Sequence, residues 1–163
     1  MSLRPLGRAL ALVLVAAAVG AQPAIDIDVP VRLGHARVVF NTDQRLENGA
    51  GVPTVFVWLD EMLLHFEAWR TRRKLLVVLH GPAGVWALSD DAWNRVHDVT
   101  TGNPHAAQIA ALAGKRVEFE LCAYTMQLNG WTNADLLPEV QVVTGAIARL
   151  IQLQQRGWTV LQP

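Results

Sequence analysis

The sequence predicts an α/β protein, built as one domain on an open, mostly parallel five-stranded sheet with helices on both faces. Three observations carry that prediction. Leu75-Leu76-Val77-Val78-Leu79 is an unbroken apolar run closed by the turn-forming His80-Gly81-Pro82, which implies a strand covered on both faces, as in a parallel sheet. Strand-like and helix-like segments alternate from His35 to the end of the chain. Each gap between strand-like segments holds about a dozen residues or nearly so, the length a parallel crossover needs.

The chain has 163 residues, a comfortable length for one domain. Its start does not read as part of that domain. Arg4 and Arg8 precede an 11-residue apolar run, Ala9 to Val19, and Val19 and Ala21 then supply a small-x-small exit ahead of Gln22. Residues 1–21 are therefore expected to be a secretory signal peptide. The run is well short of the roughly 20 residues a membrane-spanning helix needs. No lasting membrane insertion is expected after cleavage, and the mature protein is expected in the periplasm or outside the cell. Residues 22–34, with Pro23 and Pro30, read as a spacer, and residues 35–163 as the domain.

Removing residues 1–21 takes two of the 14 Lys and Arg, leaving 14 − 2 = 12 against 14 Asp and Glu. The cationic residues cluster only at Arg70, Arg72, Arg73 and Lys74. A protein that tracks phosphate backbones needs a broader basic surface, so nucleic acid is not an expected partner.

The elements follow in order. Ala36-Arg37-Val38-Val39-Phe40 is β-branched enough for a first strand over His35 to Asn41, and the polar stretch from Asp43 to Gly51 reads as a loop. Pro53 suits the first position of a helix. Val55, Leu59, Met62, Leu63, Phe66 and Trp69 then recur at helical spacing and face one side. After the second strand, Leu75 to Leu79, a short helix is expected around Trp86 to Val96, with Asp90 a candidate N-cap. Asn103-Pro104 offers an N-cap and first-turn proline for a helix over Ala106 to Ala113, ended by Gly114. Val117 to Cys122 is the third strand, and its alternation suggests one face less deeply buried than in the second. Val140 to Val143 is the fourth. Ile147, Leu150, Ile151 and Leu153 mark a last helix closed by Gly157, and Trp158 to Leu161 the fifth strand.

Ligands in such sheets gather outside the carboxyl ends of the strands. Three segments converge there: His80-Gly81-Pro82-Ala83-Gly84, Cys122-Ala123-Tyr124 and Thr144-Gly145. The single cysteine, Cys122, has no partner within the chain and so forms no internal disulfide. A helix N-terminus beside it would lower its pKa and favour the thiolate, with Asn129, Thr125 or backbone N–H groups holding the anion. The other reading makes it a small buried hydrophobe. His80 ends a strand, where its imidazole donates to an anion or simply satisfies the strand end. The five histidines show no i, i+4 pair, so no metal site is expected. The G-x-G-x-x-G and G-x-S-x-G patterns are absent, so neither a dinucleotide cofactor nor an acyl-transfer elbow is expected. Trp86 and Trp131 flank the proposed site, as core packing or as the lining of a pocket or interface.

Leu76-Val77-Val78-Leu79-His80-Gly81-Pro82, Gly102-Asn103-Pro104-His105 and Leu121-Cys122-Ala123-Tyr124-Thr125-Met126 together resemble DsrE-like proteins in order and spacing. So does the run from Asp135-Leu136-Leu137-Pro138 through Gly145-Ala146-Ile147 to Gly157-Trp158. The resemblance implies a three-layer α/β/α fold of flavodoxin-like kind and a homo-oligomer, a trimer or a hexamer. It also implies a sulfur carrier in which the cysteine takes sulfur as a persulfide and hands it to a partner, with a sulfur donor or acceptor protein as the expected partner. Cys122 stands at the family's cysteine position, followed by Ala123 where many relatives have glycine. The candidate site, read from the strand ends, joins Cys122 and His80 with Gly81, Tyr124, Asn129, Thr144 and Gly145. A non-catalytic binding module using the same cleft, with Cys122 structural, is the alternative.

Overall fold

The computed structural model of the protein describes residues 25–163, so the expected signal peptide over residues 1–21 lies outside the described residues. Residues 25–34 are exposed and carry neither helix nor strand, and the domain proper runs Arg32–Pro163. Its elements are β1 (His35–Thr42), α1 (Thr54–Trp69), β2 (Arg72–Leu79), α2 (Asp90–His97), α3 (Ala106–Gly114), β3 (Val117–Cys122), α4 (Ala123–Asn129), β4 (Val140–Val143), α5 (Ala146–Gln155) and β5 (Thr159–Leu161). A 3-10 turn, Gly81–Ala87, leads out of β2.

All five strands pair in parallel, in the order β4-β3-β2-β1-β5. That order fixes the layers. From β1 to β4 the chain steps across the sheet in one direction, and crossovers of constant hand then land on one face. α1, α2 and α3 lie there, burying Phe56, Trp93, Ile109 and Leu112 against Phe40, Val77 and Phe119. After β4 the chain doubles back to the far edge, so the same hand places α5 on the opposite face. That face is smaller and holds Val39, Leu76, Val78 and Cys122 under Ala146, Leu150 and Leu153. The expected α/β sheet with helices on both faces is the fold observed.

Local departures have local reasons. Pro53 stands one residue before α1 as its N-cap, with φ −54° and ψ 130°, and its carbonyl accepts from the Phe56 and Val57 N–H groups. β2 begins at Arg72, because its first residues pair with β1 through His35 and Ala36 despite their charge. Trp86 belongs to the 3-10 turn rather than to the following helix. Ser89, not Asp90, caps α2, its hydroxyl accepting from Ala92 N–H at 3.4 Å. Asp90 instead accepts from the Asn103 N–H at 2.8 Å. Helix α4, immediately after Cys122, was not signalled by any cap or apolar periodicity in its seven residues.

Asn103 is a buried tie rather than an exposed cap. It is 6% exposed, and its Nδ2 donates to the carbonyls of Trp86 at 2.9 Å and Leu88 at 2.6 Å while its Oδ1 accepts from His105 N–H. The α3 loop is thereby fastened to the turn after β2. Beneath it, Phe56, Trp86 and Phe119 meet at ring separations of 6.0 and 6.1 Å, with His105 edge-on to Trp86 at 5.9 Å. Burial lowers the His105 pKa, opposed by Glu47 and aided by Arg45. Replacing Asn103 by Ala orphans two buried carbonyls, and its expected cost is about 3 kcal/mol of unfolding free energy. Denaturant titration reads this as a lower midpoint at unchanged slope.

Candidate functional site

β3 leaves the sheet into α4 on the larger face, whereas its neighbour β4 leaves into α5 on the smaller one. Adjacent strands whose exits diverge open a crevice at their carboxyl ends, the position at which open α/β sheets bind ligands. Cys122 is the last residue of β3, and its register partner Val143 is the last of β4. The thiol therefore stands at the base of that crevice, with the residue 5% exposed.

Two chain reversals aim main-chain donors at the sulfur. Cys122 is itself the N-cap of α4, in extended backbone with φ −65° and ψ 122°. Across the crevice, Gly145 caps α5, and the first N–H of that helix, from Ala146, donates to Sγ at 3.4 Å. Burial by itself pushes the thiol pKa up, but N–H groups of Thr125, Ala146 and Tyr124 and the Thr125 hydroxyl overcome it. The net effect is a thiol below the value of free cysteine, the direction that favours thiolate.

The crevice is a cavity of about 350 Å³, lined among others by His80, Gly81, Cys122, Tyr124, Gly145 and Ile147. Five of the seven residues singled out from the sequence thus come together. Asn129 and Thr144 do not line it. Asn129 turns back onto its own helix, its Nδ2 donating to the Thr125 carbonyl at 2.8 Å, and Thr144 is exposed on the approach to α5. Trp86 is also absent from the cavity, being 1% exposed in the large core with Nε1 donating to Glu47 at 3.2 Å. Trp131 is half-buried against the same core.

His80 lines the cavity, but its hydrogen bond goes to β1. Its Nε2 lies 2.7 Å from Asn41 Oδ1, and with a carbonyl oxygen as acceptor it is Nε2 that carries the proton. Burial lowers its pKa against the opposing pull of Asp43, so the ring stands neutral and offers a dipole rather than a charge. Gly81 takes φ +53°, and its N–H donates to Thr125 Oγ1 at 3.0 Å. A Cβ there would meet the Asp43 carbonyl at 3.2 Å. Thr125 is therefore oriented from behind, which leaves its own hydrogen for the sulfur. Among the described residues no group of His, Cys, Asp and Glu is arranged to hold a metal ion.

An ion pair locks α5 to β3 beside the thiol. Glu120 precedes Cys122 by two residues on the same face of β3 and is 7% exposed. Arg149 of α5 grips it in two-pronged fashion, Nη2 to Oε1 at 2.6 Å and Nε to Oε2 at 2.9 Å. Glu120 and Leu121 hence sit at fixed register with α5, and Ala146 lies one turn before Arg149. Alternation made one face of the third strand the less deeply buried, yet of Glu118 and Glu120 on that face only Glu118 is exposed. No sequence signal ties residue 120 to residue 149, and the pair was not anticipated. The Ala146 amide had only the indirect signal of Thr144-Gly145 leading from a strand into a helix.

Replacing Arg149 by Met strands a buried carboxylate, with an expected stability loss of about 3–5 kcal/mol. It also frees the start of α5, so the pH profile of Cys122 alkylation shifts upward. Adding Glu120→Leu to Arg149→Met recovers much of the stability, and the thiol shift persists if the pair sets the geometry.

The fold has a relative among solved structures. In the solved structures, a protein of unknown function from Methanobacterium thermoautotrophicum is 21% identical and superposes with a TM-score of 0.61 over 78% of this chain and 99% of its own. That likeness concerns the fold. Among curated proteins none matches the chain. The model of the DsrE/DsrF-like family matches residues 54–163, a stretch that includes the crevice and the Glu120–Arg149 clamp, and the chain belongs to that family.

Proposed function

We propose that the protein is a sulfur carrier in which Cys122 accepts a sulfur atom as a persulfide and passes it to a partner thiol. The observation that carries this reading is the thiol with a lowered pKa at the base of a cavity, at the divergence of β3 and β4. A purely structural cysteine gains nothing from main-chain N–H groups that stabilise its anion, the Ala146 N–H lying 3.4 Å from Sγ. Membership of the DsrE/DsrF-like family points the same way.

The chemistry balances without an external oxidant. The Cys122 thiolate attacks the outer sulfur of a donor persulfide, R–S–SH. A new bond forms from Sγ, the donor S–S bond breaks, and the donor leaves as its thiolate. Cys122 then carries –S–SH, and the same exchange run onto an acceptor thiolate returns it to its starting state. The amides that hold the thiolate are placed to hold the leaving thiolate in the second step. With one cysteine in the chain, donor and acceptor thiols both belong to other molecules.

The mouth of the cavity supports a homo-oligomer. Tyr124, Leu128, Ile147 and Ile151 are 63%, 70%, 64% and 51% exposed on α4 and α5 around it. An apolar cluster of that kind is typical of a surface that another chain covers. In this reading Leu128→Glu with Ile147→Glu lowers the mass measured by light scattering to that of one chain. An unchanged mass would remove this surface from the interface.

The sulfur reading is tested by mass spectrometry of the purified protein after exposure to a persulfide donor. Cys122 is expected to gain one sulfur atom, and Cys122→Ser to gain none. The rate of uptake rises with pH as thiol becomes thiolate, with its half-point below the free-thiol value of about 8.5. No gain at Cys122, under conditions that load a small control thiol, would end the proposal.

A further inference from the structure

A second concavity lies at the opposite end of the sheet, where the strands begin. It is a groove of about 630 Å³ lined among others by His35 and Arg37 of β1, Arg72, Arg73 and Lys74 of β2, and Arg156 with Gly157 just past α5. The β1–β2 register sets His35 beside Arg72 and Arg37 beside Lys74. Side chains alternate along a strand, so these four share the face that carries Val39 and Leu76. Neighbouring strands are about 4.8 Å apart and alternate residues about 6.6 Å apart, so four side chains rise from one small rectangle. Three are cationic, and Arg156 adds a fourth charge from the helix end.

These charges are uncompensated. Arg73, on the other face, meets Glu67 at 3.8 Å, and Arg149 is engaged by Glu120. Among the described residues Arg37, Arg72, Lys74 and Arg156 take part in no ion pair. Arg37 Nη1 donates to the Arg156 carbonyl at 3.4 Å, which uses one of its five N–H groups. Glu118 lines an adjoining hollow with Arg37 and Lys74, a single carboxylate against four cations. Like charges side by side in a sheet repel, and an anion lying between them removes that cost.

We propose that this groove binds a small soluble molecule carrying two or more phosphate-like groups. Guanidinium forks match oxyanion geometry, and two rows of cations suit a ligand with more than one charged group. The volume lies within the range of small-molecule sites. The site is separate from the sulfur chemistry, because Lys74 stands five residues before Leu79, the end of β2, about 17 Å along the sheet. It therefore stands or falls independently of Cys122.

Calorimetry of the purified full chain with inorganic triphosphate tests it. One triphosphate per chain is expected, bound at physiological ionic strength, with monophosphate weaker by roughly tenfold or more. Arg72→Ser combined with Lys74→Ser should lower the triphosphate affinity at least roughly tenfold. The same change relieves repulsion, so the melting temperature of the ligand-free protein holds or rises. Arg156→Ser, outside the sheet, gives a second variant with the same expected loss. Absence of saturable binding, equal affinity for monophosphate, or full binding by both variants would overturn the proposal.

Discussion

The backbone's preference for crossovers of one hand, combined with a single reversal of direction after β4, organises everything else in this domain. Four strands laid down in one direction gather α1, α2 and α3 on one face and build the large aromatic core there. The return to β5 leaves α5 alone on the other face. The reversal separates the exits of β3 and β4, and there the fold opens a crevice at its carboxyl edge. Cys122 occupies that place as a consequence of topology. The Glu120–Arg149 pair then converts a coarse topological opening into a fixed arrangement, since it ties β3 to the helix whose first amide reaches the sulfur.

The fold was legible because its signals are local and apolar. Leu75 to Leu79 could be read as a doubly covered strand, and the α1 stripe as a helix, from side-chain spacing alone. The third and fourth strands fell where expected, at Val117–Cys122 and Val140–Val143. Where reading failed, polar groups had been recruited over distance. Arg72 to Lys74 lengthen β2 through pairing with β1, which no hydropathy pattern reveals. Asn103 looks like an N-cap and serves as a buried tie to two carbonyls. Glu120 looks solvent-facing and is buried because Arg149, 29 residues later, pairs with it.

The candidate site was legible in part, for a similar reason. Cys122, His80, Gly81, Tyr124 and Gly145 could be placed together because each stands at or just past the end of a strand, and strand ends converge in a parallel sheet. Asn129 was plausible by proximity in sequence, but helix geometry turns its amide back onto Thr125. The partner of His80 is Asn41, at the end of a different strand, and sequence spacing carries no trace of that contact.

The groups that hold the sulfur are largely peptide N–H groups, and this bears on how the site can evolve. A side-chain donor is lost by one substitution, whereas a main-chain donor survives any replacement that keeps the helix in place, proline excepted. Residues 124 and 146 are thus free to change identity in lineages that retain an anion-stabilising pocket, whereas Thr125 also lends its hydroxyl. Selection would act on the path of the chain more than on its letters.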